Sequence, residues 1–135
     1  MKTEIYLLRH GESELNKEKI YFGHLNPPLT KKGEESISTL KDFFYKDIDV
    51  VISSDLKRCY QSSLLFNKNI NIKVDTRLRE LNFGIFEGHS YEELNKKFPK
   101  ESNSFFKGNH KYVIPKGESI NMLFDRCIDF FFRSS

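Results

Sequence analysis

The stretch IYLLRHGE, residues 5–12, joins a run of apolar side chains to an arginine, a histidine and a glycine. Continuous apolar runs are typical of parallel strands that are buried on both faces, and we predict a strand over residues 3–8. Arg9 and His10 follow the end of that strand. Gly11 lets the backbone approach an anion without a Cβ in the way, and a guanidinium donates to phosphate oxygens through a planar fork. The stretch therefore predicts a phosphate-binding loop at a strand end.

The chain that follows alternates predicted helices with predicted strands. These elements are a helix over residues 31–45 capped by Thr30, a strand over 49–53, a helix from Leu56 capped by Ser54 or Asp55, and a strand over 70–74. Connections of this length permit crossovers between parallel strands. We therefore expect an α/β protein, a three-layer α/β/α sandwich with a mostly parallel central sheet.

The second half of the chain contains two more helix signals. Ser90 and Glu93 have the spacing of a capping box, and Pro99 is expected to end the short helix that they begin. Apolar residues then recur at helical spacing between Ile120 and Phe131. This pattern predicts a last helix with a core-facing apolar stripe.

Composition is typical of a single domain that needs neither a disulfide nor a metal. The chain has 135 residues, which we assign to one domain over 1–135, and its 13 Phe indicate an apolar core. Cys59 and Cys127 lack metal-ligand spacing, so we expect reduced thiols and no cofactor. The net charge of +3 is spread along the chain, and no apolar run approaches the roughly 20 residues of a membrane helix. We expect a cytoplasmic protein with neither nucleic acid nor membrane as a partner.

Three segments lie where α/β sheets place ligands, after predicted strands. They are residues 9–16, 53–58 and 77–88. Arg58 falls in a first helical turn, where free amides and the helix dipole favour an anion. Glu80 supplies a carboxylate suited to proton transfer. Taken separately, a simple turn, a solvated arginine and a structural carboxylate are alternatives for the three segments.

Taken together, the motifs resemble one family in both kind and order. They are Arg9-His10-Gly11-Glu12, Asn16, residues 23–30, Gly33, Ser53-Ser54 with Arg58, Glu80 with Phe83-Gly84 and Glu87-Gly88, and Gly117-Glu118-Ser119 with Arg126. Over nearly the whole chain they are similar to the histidine phosphatase superfamily, whose fold is phosphoglycerate-mutase-like. Within it the sequence most resembles the small phosphatases that include α-ribazole-5′-phosphate phosphatase. That group implies a small phosphomonoester as substrate and, for the ribazole enzymes, a role in cobalamin biosynthesis.

The resemblance also implies roles for individual residues. His10 would attack the phosphorus and become a phosphohistidine, while Glu80 would protonate the leaving group and then activate water. Arg9 and Arg58 would bind the phosphoryl oxygens, so that no metal is needed. The expected substrate-binding groups are Asn16, the Gly23 backbone and His24. For His24, an exposed loop histidine without substrate contact is an equal alternative.

The sequence departs from the family pattern at its C-terminal end. Family members carry a second catalytic histidine on a strand that follows the helix corresponding to residues 119–133. After His10, the histidines here are His24, His89 and His110, and none follows a predicted buried strand. We therefore expect a C-terminally incomplete, truncated domain with weakened stabilisation of the phosphoryl group. Uncovered strand edges would favour a homodimer or strand exchange.

Three functions are consistent with these patterns. The first is metal-independent phosphomonoester hydrolysis. The second is a phosphate-ligand binding module that holds phosphorylated molecules through Arg9, His10 and Arg58 without turnover. The third is phosphoglycerate mutase activity, which the tract over residues 81–88 makes a weaker match.

Overall fold

Helices connect two separate pairs of short strands in the computed structural model, which describes residues 2–44 and 47–133. In chain order the elements are α1 (Glu14–Lys17), β1 (Ile20–Tyr21), α2 (Lys31–Phe43), β2 (Val51–Ser53), α3 (Lys57–Phe66), β3 (Ile72–Val74), β4 (His89–Ser90), α4 (Tyr91–Lys97), α5 (Pro99–Phe106) and α6 (Ile120–Arg133). Short 3₁₀ turns lie at Thr76–Leu78 and Gly84–Phe86.

The strands β2 and β3 form the parallel pair that the alternating pattern predicts. Val51 lies opposite Ile72 and Ser53 opposite Val74, and α3 makes the crossover between the two strands. The other pair, β1 with β4, is antiparallel. The strand, helix and parallel strand in succession confirm the predicted α/β class.

The predicted strand over residues 3–8 is wrong. Residues 2–10 contain no strand, and the side chains of Ile5 and Leu7 are 65% and 86% exposed. An apolar run becomes a buried strand only when a neighbour satisfies its backbone and covers its faces. In the described residues β2 pairs with β3, and no strand pairs with this segment. The site loop at residues 9–12 is therefore held by other contacts.

Helix α2 confirms the predicted cap, because the Thr30 hydroxyl oxygen accepts a hydrogen bond from the Gly33 amide at 3.0 Å. The helix ends at Phe43, and the predicted end at Tyr45 lies outside the described residues. Helix α3 starts one residue later than predicted. Leu56 occupies its N-cap without a side-chain bond, so the predicted cap by Ser54 or Asp55 is wrong.

The main core lies beside the irregular segment over residues 81–86, between that segment and helices α4 and α5. Its buried members are Leu81, Phe86, Leu94 and Ile114. Ser90 and Glu93 form the predicted capping box at the start of α4. Pro99 follows the end of α4, as predicted, and also begins α5, because proline is favoured in a first helical turn.

Helix α6 confirms the predicted last helix, but its apolar stripe is not buried. Phe124 is 62% exposed and Phe131 is 47% exposed. The helix packs against the turn over Thr76–Leu78, where polar contacts predominate: Arg77 bonds Asp129, and Arg126 bonds backbone carbonyl groups. Of the predicted stripe, Leu123 packs against the core, and the expected core-facing orientation is wrong for its exposed members in the described part of the chain. No described helix combines the length and the apolar character needed to cross a membrane.

Candidate active site

His10 lines a cleft of about 250 Å³ whose other lining residues are Arg9, Gly11, Glu12 and Asn16. The imidazole is half-buried, and its Nδ1 lies 2.7 Å from the Gly11 carbonyl oxygen. A carbonyl only accepts hydrogen bonds, so Nδ1 carries the proton in this arrangement. In the neutral ring Nε2 then has a free lone pair. The local backbone therefore selects the tautomer that a phosphorus nucleophile requires.

The surroundings of His10 favour its neutral form. Burial lowers the pKa of the imidazole below the ordinary value of 6.5, and the positive charges of Arg58 and Arg9 lower it further. The bond to the Gly11 carbonyl and the charge of Glu80 act in the opposite direction, and the net pKa is lowered. The charges of the two arginines and of Glu80 thus all act on this ring.

The loop that carries His10 is fixed to helices α2 and α3. The Gly11 amide donates to the Ser62 hydroxyl oxygen at 3.0 Å, and Ser62 donates to the Arg58 carbonyl oxygen at 2.7 Å. A Cβ on Gly33 in α2 would overlap the Glu12 backbone, so glycine is required for this approach. Sequence reasoning missed Ser62. Its signal is the spacing of four residues from Arg58, which places both side chains on one face of α3.

Glu12 also anchors the loop. Its carboxylate accepts a hydrogen bond from the Thr30 hydroxyl at 3.0 Å, and its carbonyl oxygen accepts one from the Thr30 amide at 2.8 Å. Lys32 lies 3.6 Å from the same carboxylate. Because Thr30 caps α2, these bonds tie the site loop to the start of that helix.

The Arg58 guanidinium is buried and bonded to the backbone. Nη1 donates to the Leu25 carbonyl oxygen at 3.0 Å and Nη2 to the Gly23 carbonyl oxygen at 2.8 Å. The group lies over the Phe22 ring, 4.7 Å from its centroid, and its Nε has no partner among the described residues. Burial lowers the pKa of Arg58. A guanidinium has five donor hydrogens, so three remain for other acceptors.

The backbone over residues 23–25 lies between Arg58 and a carboxylate on its other side. Glu87 accepts hydrogen bonds from the amides of Gly23 at 3.0 Å, His24 at 2.8 Å and Leu25 at 3.2 Å. It also accepts one from the Phe83 amide at 3.2 Å. Sequence reasoning quoted Glu87 as part of a motif but gave it no role, because three of its four partners lie more than 60 residues away in the sequence.

Glu80 is exposed, and its carboxylate accepts a hydrogen bond from the Leu81 amide at 2.7 Å. The imidazole of His24 donates through Nε2 to the Glu80 carbonyl oxygen at 3.1 Å. The neighbouring Arg79 forms an ion pair with Asp55, which lies just before the start of α3. This ion pair holds the pKa of the Asp55 carboxyl below its ordinary value. The segment of Glu80 is thereby joined to the predicted site loop over residues 53–58 and to His24.

The remaining predicted residues divide into two groups. Arg9 and Asn16 line the cleft. Arg9 is exposed and has no polar partner among the described side chains and backbone groups, whereas the Asn16 amide oxygen accepts two hydrogen bonds from Ser13. Gly23 and His24 instead form hydrogen bonds, the first with the Glu87 carboxylate and the second with the Glu80 carbonyl oxygen. Their predicted substrate contacts remain predictions. The described residues contain no cluster of three His, Cys, Asp or Glu side chains suited to a metal.

Residues 5–133 match the family model of the histidine phosphatase superfamily (branch 1), and the chain belongs to that family. Its fold is similar to that of the alpha-ribazole phosphatase from Shigella flexneri, with a TM-score of 0.86 and 25% identity over 93% of this chain. These findings confirm both the resemblance and the predicted three-layer α/β class.

Two curated relatives are similar in sequence. Phosphoserine phosphatase 1 of Hydrogenobacter thermophilus is 31% identical over 131 residues, which cover 95% of this chain. Phosphoglycerate mutase-like protein 4 of Arabidopsis thaliana is 32% identical over 131 residues, or 93% of this chain. The chain spans 62% of the first relative, 57% of the second and 64% of the Shigella structure.

Proposed function

We propose that the chain carries the phosphate-transferring site of a phosphomonoesterase, with His10 as the nucleophile. The observation that carries this proposal is the state of the His10 ring. Its Nδ1–H donates to the Gly11 carbonyl oxygen, its pKa is lowered, and His10 lines the same cleft as Arg9. A neutral ring with a free Nε2 is what attack on phosphorus needs.

The proposed reaction has two displacements. In the first, the Nε2 lone pair forms a bond to phosphorus, the bond from phosphorus to the ester oxygen breaks, and the Glu80 carboxylic acid gives that oxygen its proton. In the second, the Glu80 carboxylate takes a proton from water, the water oxygen bonds to phosphorus, and the bond to Nε2 breaks. Free phosphate, an alcohol and the original His10 and Glu80 result.

The arginines supply the positive charge for both displacements. Arg9 is exposed in the cleft, and the charge of Arg58 lowers the pKa of His10. Their fixed charges would stabilise the transferring phosphoryl group without a metal ion. We expect Asn16 to donate its amide hydrogens to the same oxygens, because its amide oxygen is already bonded to Ser13.

A hydrolysis assay tests this proposal. The panel contains p-nitrophenyl phosphate, phosphoserine, α-ribazole 5′-phosphate and 3-phosphoglycerate, since relatives are named for activities of these kinds. The proposal is supported if wild type releases phosphate, His10→Ala does not, and the control variant His110→Ala, changed at an exposed position, still does. Equal release by wild type and His10→Ala would reject it. A preference for α-ribazole 5′-phosphate would favour a role in cobalamin biosynthesis.

A phosphate-binding module without turnover is the second candidate. It is favoured by one observation: Glu80 does not line the cleft that holds Arg9 and His10, and binding, unlike turnover, needs no acid there. This function predicts titratable binding of phosphomonoesters without release of phosphate or labelling of His10. Isothermal titration of the same panel, combined with the phosphate assay, separates the two functions.

A further inference from the structure

The backbone over residues 23–25 lies between two opposite charges. Its amides point to the Glu87 carboxylate, and its Gly23 and Leu25 carbonyl oxygens accept from Arg58. An amide that donates to an anion has a carbonyl that is a better acceptor, because hydrogen bonds in a chain polarise one another. The Gly23 carbonyl and the His24 amide belong to one peptide group, so the carboxylate and the guanidinium support each other through it without direct contact.

The same segment reaches the residue proposed as acid and base. Its His24 ring donates to the Glu80 carbonyl oxygen at 3.1 Å, while the His24 amide donates to Glu87 at 2.8 Å. The close approach is specific to this sequence, because a Cβ on Gly23 would overlap the Leu81 carbonyl group. One carboxylate thus fixes a segment that contacts both Arg58 and Glu80.

We propose that Glu87 is a positioning residue of the active site, which sets the placement of Arg58 and of the Glu80 backbone through the amides of residues 23–25. This inference rests on the proposed function, and it gives a role to Glu87, which neither lines the cleft nor contacts His10. Removing the Glu87 charge would release the 23–25 backbone and, with it, the direction of the Arg58 donors. Misplacement of a catalytic group by about 1 Å can cost roughly 100-fold in rate.

The test uses Glu87→Gln, which keeps the size of the side chain but places an amide nitrogen against backbone amides. Glu92→Gln, an exposed change of the same kind in α4, is the matched control. The first readout is the Arg58 Nε–H resonance in protein labelled with ¹⁵N-arginine. We expect it to shift in Glu87→Gln and to stay in place in Glu92→Gln. An unchanged resonance in Glu87→Gln overturns the inference, whether or not the protein is an enzyme.

The second readout is the rate of His10 phosphorylation in a cycle of Glu87→Gln and Arg58→Lys. We expect each single variant to slow the reaction by at least tenfold and the double variant to be little slower than either. Such non-additivity is the signature of residues that act as a unit. A merely structural role of Glu87 would give additive losses, and additive losses would overturn the inference. If Glu87→Gln does not fold, Glu87→Asp replaces it in both measurements, because it keeps the charge and shortens the reach.

The two readouts separate this inference from the proposed function. If wild type forms no phosphohistidine, the proposed function fails, and orthovanadate affinity replaces the rate in the same cycle. A loss of affinity in Glu87→Gln without further loss on adding Arg58→Lys then supports the positioning role, and additive losses or unchanged affinity overturn it. If wild type is phosphorylated and Glu87→Gln reacts equally fast, only the positioning role fails.

Discussion

Arg126 binds Glu80 through the backbone, with its Nη2 2.9 Å from the Glu80 carbonyl oxygen. Its Nη1 lies 2.6 Å from both the Arg77 and the Arg79 carbonyl oxygens, and its remaining donors bond the Glu118 carboxylate. A single guanidinium from α6 therefore holds three peptide groups of the segment that carries the proposed acid.

Arg126→Lys is expected to destabilise the protein, because an ammonium group cannot reach these acceptors with the geometry of a guanidinium. Hydrogen bonds to charged groups contribute roughly 1.5–3 kcal/mol, so we expect the free energy of unfolding to fall by about 2 kcal/mol. Urea denaturation measures this change. Arg133→Lys is the control, because the Arg133 side chain is 81% exposed. Equal effects of the two substitutions would contradict the assigned role of Arg126.

The lowered pKa of His10 predicts the acid limb of activity. The protonated ring has no lone pair on Nε2, so kcat/KM is expected to decline only below pH 6.5, the ordinary histidine value. Arg9→Gln removes a charge that lowers this pKa and is expected to move the limb to higher pH. Lys100→Gln, the same charge change at an exposed position, serves as control. An Arg9→Gln limb at lower pH than in wild type would refute the electrostatic account.

Gly33→Ala is predicted to destabilise the protein although alanine is the better helix former. A methyl group at this position of α2 would overlap the Glu12 backbone, and overpacking typically costs about 1–3 kcal/mol. The measurement is the urea midpoint, together with the NMR shift of the Gly11 amide. Thr39→Ala, at an exposed position of the same helix, is expected to be neutral or slightly stabilising. A stabilised Gly33→Ala would show that the loop does not approach α2 as described.

The ion pair of Asp55 with Arg79 predicts a pH-dependent stability. Arg79 lowers the folded-state pKa of Asp55 below 3.8, so the unfolded chain takes up the proton first as the pH falls. The stabilisation is therefore fully present above pH 3.8 and is lost progressively as the pH falls through the lowered folded-state pKa. Asp55→Asn is expected to reduce the free energy of unfolding at pH 6, and the difference from wild type is expected to shrink as the pH falls below 3.8. A constant difference between the two proteins across this range would contradict the pairing.

Local patterns predicted the helices better than the strands. Thr30 and the pair Ser90 with Glu93 act within one helical turn, so their sequence spacing is sufficient, and both caps are present. The run over residues 5–8 has the composition of a buried strand but lacks a strand partner in the described structure. Composition indicates what a segment can form, whereas a strand also depends on a neighbour that is remote in sequence.

The site shows the same division. His10, Arg58 and Glu80 were singled out because their types and order match a family, and the charges of Arg58 and Glu80 act on the pKa of His10. Ser62 and Glu87 were missed as site residues because the amides that join them to the site loops, those of Gly11 and Gly23, are 51 and 64 residues away. Contacts this remote leave no spacing pattern in the chain, and the one local signal is the four-residue spacing of Ser62 from Arg58. Asp55 precedes helix α3, where a capping residue is expected, but its carboxylate forms an ion pair with Arg79 instead.

The most direct test of the account is the identity of the phosphorylated residue. Wild type, His10→Ala and His89→Ala are mixed with a reactive phosphomonoester, quenched under alkaline conditions that preserve phosphohistidine, and analysed by peptide mass spectrometry. We expect one phosphoryl group on His10 in wild type and in His89→Ala, and none in His10→Ala. Phosphate release with His10 unlabelled at every quench time, or labelling that persists in His10→Ala, would contradict the central claim.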